Sequence, residues 1–568
     1  MKNSYFLKRK PLQALAALAA AFPMLAMGQT FPGAGTILQQ IQPVQPVQPP
    51  SAAPAAATLT IDQNPGAAMP SSAPFSVKQL RILGNTLFDT ETLHALVAQA
   101  EGQIMPLDRL EALVADIAAY YNSQGYPLVR VVIPVQVIRD GIVRVQVIEG
   151  RYGKISLNNS SQVKDGLLQA ALAPLQGKQP VSQTTLNRVL LLLSDVPGVL
   201  VTGVLKPGEA LGATDLLVNT IQSGPSVLGN VTLDNSGNRY TGEARIAGTV
   251  FVVNPLHHGD VLSMSLLSAG SNMNYGRLTY DTLIDGKGTH VGGSLSMLDY
   301  TLGQPLEALK AHGTAQVASL WAKQPLMRSR DVNLYGKVQL DHLQLRDRID
   351  ARVIRTDRHL NNVQASLDGD IRDNFLAGAI TTWNLGANVG RVGFDDALAQ
   401  SNDGQTARTD GRYVKWTASV ARLQGLNVKN TLYFSLAGQR AAGNLDPSQK
   451  ISAGGPYTVR AYEPGAVSGD SGYTGTAEWR HDLFSSGNDR WQSVVFIDGA
   501  YVKINQNPWM GTTAANTVTL RGAGVGLNWT GAQQWSAQLH IAAPFGARPA
   551  SAAGDASCRA SAEISRRF

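Results

Sequence analysis

From about residue 225 to the end, no helical period persists, and side chains alternate between apolar and polar or small. This constrains the fold more than any other feature. Leu262, Met264 and Leu266 alternate with Ser263 and Ser265, and Leu334, Val338 and Leu340 with Tyr335, Lys337, Gln339 and Asp341. Leu432, Phe434 and Leu436 share a face, and Trp535, Ala537, Leu539 and Ile541 alternate with Ser536, Gln538 and His540. One apolar and one polar face suits a soluble sandwich or a membrane barrel with a wet lumen. Length favours the barrel: strands of about 9–11 residues with their turns fill this region with about sixteen crossings. The expectation is a membrane all-β barrel of about sixteen antiparallel strands over residues 224–568.

The N-terminus agrees with that destination. Lys2, Lys8, Arg9 and Lys10 precede an apolar run over residues 12–27, and Ala26 and Gly28 put small residues before a cleavage position. This order reads as a signal peptide over residues 1–28. Pro23 and the short length argue against a spanning helix. Phe568 is a terminal aromatic, as in many outer-membrane barrels. Charged residues are only 16 %, the net charge of +7 is not clustered, and Cys558 is the single cysteine. These values exclude a nucleic-acid-binding patch, a disulfide framework and a multi-cysteine zinc site.

Residues 29–74 read as a short helix followed by a linker. Ile37, Leu38 and Ile41 have helical spacing, and nine of the 28 prolines fall in residues 31–74. With no charge between Lys10 and Asp62, that tract cannot build a core and favours extended geometry. A plain spacer is one reading. A helix on a tether that docks and leaves is the other.

At Phe75 the texture changes. Residues 76–83 read as a strand and 90–100 as a helix. Pro106 introduces a second helix with Leu110, Leu113, Val114, Ile117 and Tyr121 on one face, ended by Gly125. Two Val-rich strands, 126–138 and 142–148, flank Asp140-Gly141, a strong hairpin signal. Residues 151–223 repeat the strand, helix, helix, strand, strand plan. Two tandem βααββ units, 75–150 and 151–223, resemble POTRA (polypeptide-transport-associated) domains. Each would leave a sheet edge that can accept an extended chain.

The densest signal lies in residues 454–473, where glycines and prolines mark a shaped loop around Val459, Arg460, Ala461 and Tyr462. An Arg in a semi-enclosed lumen needs a carboxylate. Asp498, on the same strand face as Val494 and Phe496, is the candidate. With Val459, Arg460, Ala461, Tyr462 and the stretch Phe496, Asp498, Gly499 in hand, the chain resembles two-partner secretion transporters, the TpsB family of haemolysin activators and haemagglutinin exporters. Residues 234–242 resemble that family's first barrel strand and loop. The resemblance implies a motif loop folded into the barrel, an Arg460–Asp498 pair, and a plug helix at Ile37, Leu38 and Ile41. It departs where Ala461 and Ala500 stand in place of glycines, with Gly499 one place early.

The implied function is secretion of a large exoprotein with an N-terminal secretion domain, from periplasm to cell surface, by a monomer embedded in outer-membrane lipids. No cofactor, metal site or catalytic constellation is expected. A barrel-assembly insertase of the same superfamily and a general channel are the alternatives. His257 and His258 read as a turn. The mixed-charge run from Arg346 to Arg358 reads as solvated loop and strand ends.

Overall fold

The computed structural model describes residues 32–41, 58–61 and 72–568, except 178, 211, 488, 511, 513, 514, 548 and 550–555. The signal peptide and most of the Pro/Gln tract lie outside the described residues.

Helix α1 spans Ala34–Ile41 and strand β1 spans Thr58–Ile61. The first α/β unit runs β2 (Phe75–Val77), β3 (Gln79–Leu83), α2 (Thr90–Val97), β4 (Gln103–Met105), α3 (Leu107–Ser123), β5 (Val129–Val132) and β6 (Ile142–Glu149). Its sheet has the order β3-β6-β5, and Leu110, Val114, Ile117 and Tyr121 pack onto Val143, Val145 and Val147. The expected single strand over 76–83 is two. Lys78 and Gln79 both donate backbone hydrogen bonds to the Gly141 carbonyl, which turns the chain, and β2 pairs with β4 instead. The expected strand over 126–138 shortens to β5. Pro134 has no N–H to offer a ladder. Beyond it the Gln136 side chain takes the place of backbone, accepting from Arg144 N and donating to Arg144 O, each at 2.9 Å.

One buried carboxylate pins this unit. Glu149, at the end of β6, accepts from the backbone N–H of Thr86 (2.7 Å) and Leu87 (2.9 Å), from the Tyr121 hydroxyl (3.0 Å) and from the Thr86 hydroxyl. Burial pushes its pKa up, but these donors outweigh burial and hold it below the ordinary glutamate value. Its stabilisation is therefore fully present above the unfolded value of about 4.3 and is lost as pH falls through the lower folded value. Glu149→Ala deprives these four donors of their acceptor, at a cost of roughly 2–4 kcal/mol. Hydrogen exchange of residues 84–90 is expected to accelerate in that variant at neutral pH; unchanged protection refutes the pin.

The second unit runs β7 (Arg151–Ser160), α4 (Asp165–Leu172), α5 (Gln183–Ser194), β8 (Val199–Pro207) and β9 (Ala213–Gln222). Its helices bury Leu168, Leu172, Leu186, Leu190 and Leu193 against the sheet. The sheet order is β1-β8-β9-β7. Thus the β8 edge is already occupied: β1 adds to it in parallel, Thr58 opposite Thr202 through Ile61 opposite Leu205.

Sixteen antiparallel strands then close a barrel. They begin with β10 (Val227–Asp234), β11 (Arg245–Val253), β12 (Val261–Ser268), β13 (Met273–Leu283) and β14 (His290–Thr301). Longer strands follow: β15 (Ala311–Arg328), β16 (Val332–Ile349), β17 (Ile354–Asp373) and β18 (Ala379–Phe394). Helix α6 (Ala397–Gln405) precedes β19 (Gly411–Gly425) and β20 (Asn430–Ala441). A small hairpin, β21 (Ile451–Ala453) with β22 (Val467–Gly469), lies outside the barrel order. The barrel resumes with β23 (Ser471–Ser486), β24 (Asp489–Lys503), β25 (Thr517–Thr530), β26 (Trp535–Pro544) and β27 (Arg559–Arg567).

Alternation decides which side chain faces where. Leu340, Val363, Leu385, Val389, Leu436, Val495 and Ile497 stand exposed on the outer wall, while Asn362, Asn388, Tyr413, Phe496 and Asp498 are buried on the inner one. The barrel closes where β27 meets β10. The register runs from Asn230 opposite Arg567 to Asp234 opposite Glu563, and Phe568 and Gly229 exchange backbone hydrogen bonds at 2.9 Å beside it.

The second unit sits on one rim, called the near rim. Arg328 forks onto Asp195 with both bonds at 2.7 Å, and Arg188 donates to the Pro325 carbonyl at 3.1 Å. His257 and His258 lie in the near-rim turn between β11 and β12, where Lys164 N donates to the His257 carbonyl. They serve as a turn between strands.

Candidate functional site

Two groups of side chains fill the far half of the lumen. The first surrounds Arg460. The long loop between β20 and β23 folds inward, and Gly454 and Gly455 turn it with φ of +107° and +96°. Tyr462 N donates to the Val459 carbonyl (3.1 Å) and Gly455 N to the Tyr462 carbonyl (2.9 Å), so the motif forms a tight tip. Arg460 donates from Nε (2.9 Å) and Nη2 (2.7 Å) to the two oxygens of Asp498, and its backbone N–H adds a third bond at 3.1 Å. Its guanidinium lies 3.4 Å from the centre of the Phe496 ring. Val459 and Tyr462 are buried beside it with Phe496 and Ala500.

Sequence reasoning missed half of this cage. Glu478 accepts from Arg460 Nη1 at 2.6 Å and from Arg480, and Thr476 accepts from Nη2 at 2.8 Å. Both come from β23, whose register places Thr476 opposite Asp498 and Glu478 opposite Phe496. One buried cation is thus shared between two buried carboxylates, an arrangement that fixes geometry more than it adds net stability. Ala461 fits without a glycine's backbone because its methyl group faces Gly522 on β25. A Cβ there would stand 2.6 Å from it. Gly499 alternates with Asp498 and faces the outer wall, away from the cage.

The second group surrounds α1, which stands inside the barrel. Ile37, Leu38 and Ile41 are buried among Leu298, Tyr300, Leu343, Leu345, Leu360 and Val392. Asp347 Oδ1 accepts from the Ala34 N–H at 2.7 Å and from the Tyr300 hydroxyl at 2.6 Å, capping the start of the helix. Arg358 lies between Asp347 (3.1 Å) and Asp446 (2.8 Å). Asp446 in turn accepts from Ser448 N at the base of the motif loop. The expectation of a solvated run over Arg346 to Arg358 is corrected here. Asp347 has the strand parity of the inward Leu343 and Leu345, and Arg358 that of Leu360. Helix and loop also touch directly: Gln39 Nε2 donates to the Ser448 carbonyl at 2.7 Å, and a Cβ on Gly35 would stand 2.7 Å from Ser448 N.

The helix depends on its seat in the lumen. Eight residues are too few for a stable isolated helix in water. Burial of Ile37, Leu38 and Ile41, at about 1.5–3 kcal/mol each, and the bonds to Asp347 and Ser448 hold it in place. Nearer the near rim lies a cavity of about 1040 Å³, whose inner wall includes Lys323, Lys337, Ser366, Thr417 and Gln439. The small size of Ser366, Gly386 and Thr417 widens it.

This architecture has known counterparts. The sequence profile described as haemolysin secretion/activation protein ShlB/FhaC/HecB matches residues 212–529, and that of the ShlB-type POTRA domain matches residues 75–150. The Heme/hemopexin transporter protein HuxB of Haemophilus influenzae is 27 % identical over 478 residues, covering 83 % of this chain and 84 % of that protein. The outer membrane transporter CdiB of Dickeya dadantii is 23 % identical over 433 residues, covering 72 % of each. Among solved structures, CdiB from Escherichia coli superposes with a TM-score of 0.70 at 20 % identity, covering 90 % of this chain and 94 % of that one. BamA from Haemophilus ducreyi lacking POTRA domains 1–3 superposes with a TM-score of 0.51 at 14 % identity, covering 87 % of this chain and 100 % of that one. With the profile spanning more than half of the sequence, the chain belongs to the haemolysin secretion/activation family ShlB/FhaC/HecB.

Proposed function

We propose that this outer-membrane transporter secretes a dedicated, large, adhesin- or haemolysin-like exoprotein, captured unfolded through its N-terminal secretion domain by the POTRA units. The barrel lies in the outer membrane of a Gram-negative bacterium with its POTRA portion in the periplasm, so the near rim is periplasmic and the far rim extracellular. Members of the family are transporters rather than enzymes.

The observation that carries the reading is the pairing of a plug with a docking edge on one tether. Helix α1 stands in the lumen and is too short to be stable away from it, and the Pro/Gln-rich segment joins it to β1, which occupies the β8 edge of the second POTRA unit. An arriving extended chain pairs with a sheet edge as β1 does. By displacing β1 it frees the tether, and α1 can then leave the pore. The chain passes the cavity as a monomeric channel's cargo and folds outside, where folding prevents return. A general channel needs no docking edge. A barrel-assembly insertase is the remaining alternative, favoured by the likeness to BamA and disfavoured by the family match.

The test compares culture medium and outer membrane by mass spectrometry with and without the protein. Loss of one large secreted protein, with other barrels unchanged, supports dedicated secretion and names the cargo. A joint fall of many barrels identifies an insertase. No change in either, with the protein and its candidate cargoes expressed, refutes export.

A further inference from the structure

We propose that the outer wall of the barrel carries, at its extracellular end, a binding surface for the phosphorylated headgroup of an outer-leaflet glycolipid, centred on Arg391 and Arg412. Two successive rows of outward side chains define the place. One row runs Leu340, Val363, Val389 and Val414 across β16 to β19, each in register with the next. The next outward row toward the extracellular rim runs His342, Asn361, Arg391 and Arg412, again in register. The wall therefore changes from aliphatic to basic within two residues, about 7 Å of strand. The residues between the two rows, Gly390 and Tyr413, are buried on the lumen side, so both arginines point outward, and both are exposed.

These arginines lack what arginines usually have. They are directly opposed on neighbouring strands, an arrangement that is destabilising for like charges. Among the described residues neither meets a carboxylate. The nearby acids are engaged elsewhere: Asp357 with Arg348, Asp395 with His359 and Asp410 with Gln400. Asn361 Oδ1 accepts from His342 Nδ1 at 2.8 Å, which closes the row on its other side. Arg440 adds a third outward cation on β20, opposite the exposed Trp416. The periplasmic rim is built differently. There Arg422 pairs with Asp373 and Arg490 with Asp482, while Arg566 lies over the Trp535 ring.

Beyond the apolar belt, where acyl chains give way to headgroups, two outward arginines thus stand side by side without an acid. Two adjacent guanidinium forks offer paired donors to phosphate oxygens. An anion seated there cancels the repulsion between the strands. A glycolipid satisfies both rows at once, its acyl chains against Val389 and Val414 and its phosphate on Arg391 and Arg412.

The test uses the full-length protein in detergent and native mass spectrometry, with a bis-phosphorylated lipid A, its dephosphorylated form and phosphatidylglycerol as probes. The expected result is retention of the phosphorylated lipid A, with affinity falling at least about tenfold in the Arg391→Gln/Arg412→Gln double variant, as for loss of charge-assisted forks. The Arg391→Lys/Arg412→Lys variant should keep part of the binding, and Arg490→Gln at the other rim should change nothing. Equal binding of the dephosphorylated form, or an unchanged affinity in the double glutamine variant, overturns the proposal. Equal binding of phosphatidylglycerol overturns the assignment to an outer-leaflet lipid. Barrel level in the membrane, measured in parallel, shows that the variants fold.

Discussion

Arg460→Ala is expected to reduce export of the partner exoprotein by at least about tenfold while the barrel still reaches the membrane, because truncating one member of a buried ion pair costs about 3–5 kcal/mol. The substitution leaves Asp498, under a tenth exposed, without its cation, and Glu478 with Arg480 alone. The strands that hold them are fixed by long ladders on both sides, so the barrel survives. The loop tip has no such ladder, and its seat in the lumen is what the variant loses. Arg460→Lys keeps the charge but not the two-pronged fit to Asp498, and should fall between. Replacing Asp498 by alanine together with Arg460 removes an unpaired charge and should be less harmful than Arg460→Ala alone. Secreted protein is read against barrel level, with protease sensitivity of residues 454–473 as the report on loop position. Wild-type export at equal barrel level would sink the role assigned to Arg460.

The second large effect is expected at Asp347. Its carboxylate caps α1 and shares Arg358 with Asp446, so Asp347→Ala removes a helix cap and half of the partnership of a buried arginine. A cap alone contributes about 0.5–2 kcal/mol. A total loss of about 2 kcal/mol shifts plug occupancy by roughly thirtyfold. Planar-bilayer recordings should therefore show a larger fraction of open time. Asp347→Asn keeps an acceptor and should show a smaller shift. Gly35→Ala reaches the same end without touching charge, since the added Cβ meets the Ser448 backbone. Recordings indistinguishable from wild type for both Asp347→Ala and Gly35→Ala would mean that α1 does not control the pore.

These two sites differ in how far the amino-acid sequence foretells them. The alternation after residue 225 and the length of that region foretell the barrel, and the helix pair followed by a Val-rich hairpin foretells the first POTRA unit. The proximity of Arg460 and Asp498 follows from the need of an enclosed cation for an acid. Glu478 and Thr476 carry no such signal. They sit among ordinary strand residues, and only the register of β23 against β24 brings them to Arg460. Asp347 and Arg358 are hidden by their neighbours: amid Arg346, Arg348 and Arg355, composition suggests solvent, while parity with Leu345 and Leu360 places them inside. The β1 strand, Thr58–Ile61, alternates as a strand should, yet it lies in an Ala- and Pro-rich tract whose composition argues for none.

The seam between β10 and β27 bears on how such a molecule comes to exist. Its partners, residues 230–234 and 563–567, lie more than three hundred positions apart, the greatest separation of any pair of adjacent strands here. Contacts this distant form late, because the entropy of bringing them together is repaid only once everything between is in place. Until then both terminal strands offer bare backbone to any neighbouring chain. The barrel is therefore at greatest risk of aggregation after synthesis and before closure, and the final nine-residue strand converts an adhesive sheet into an edgeless one.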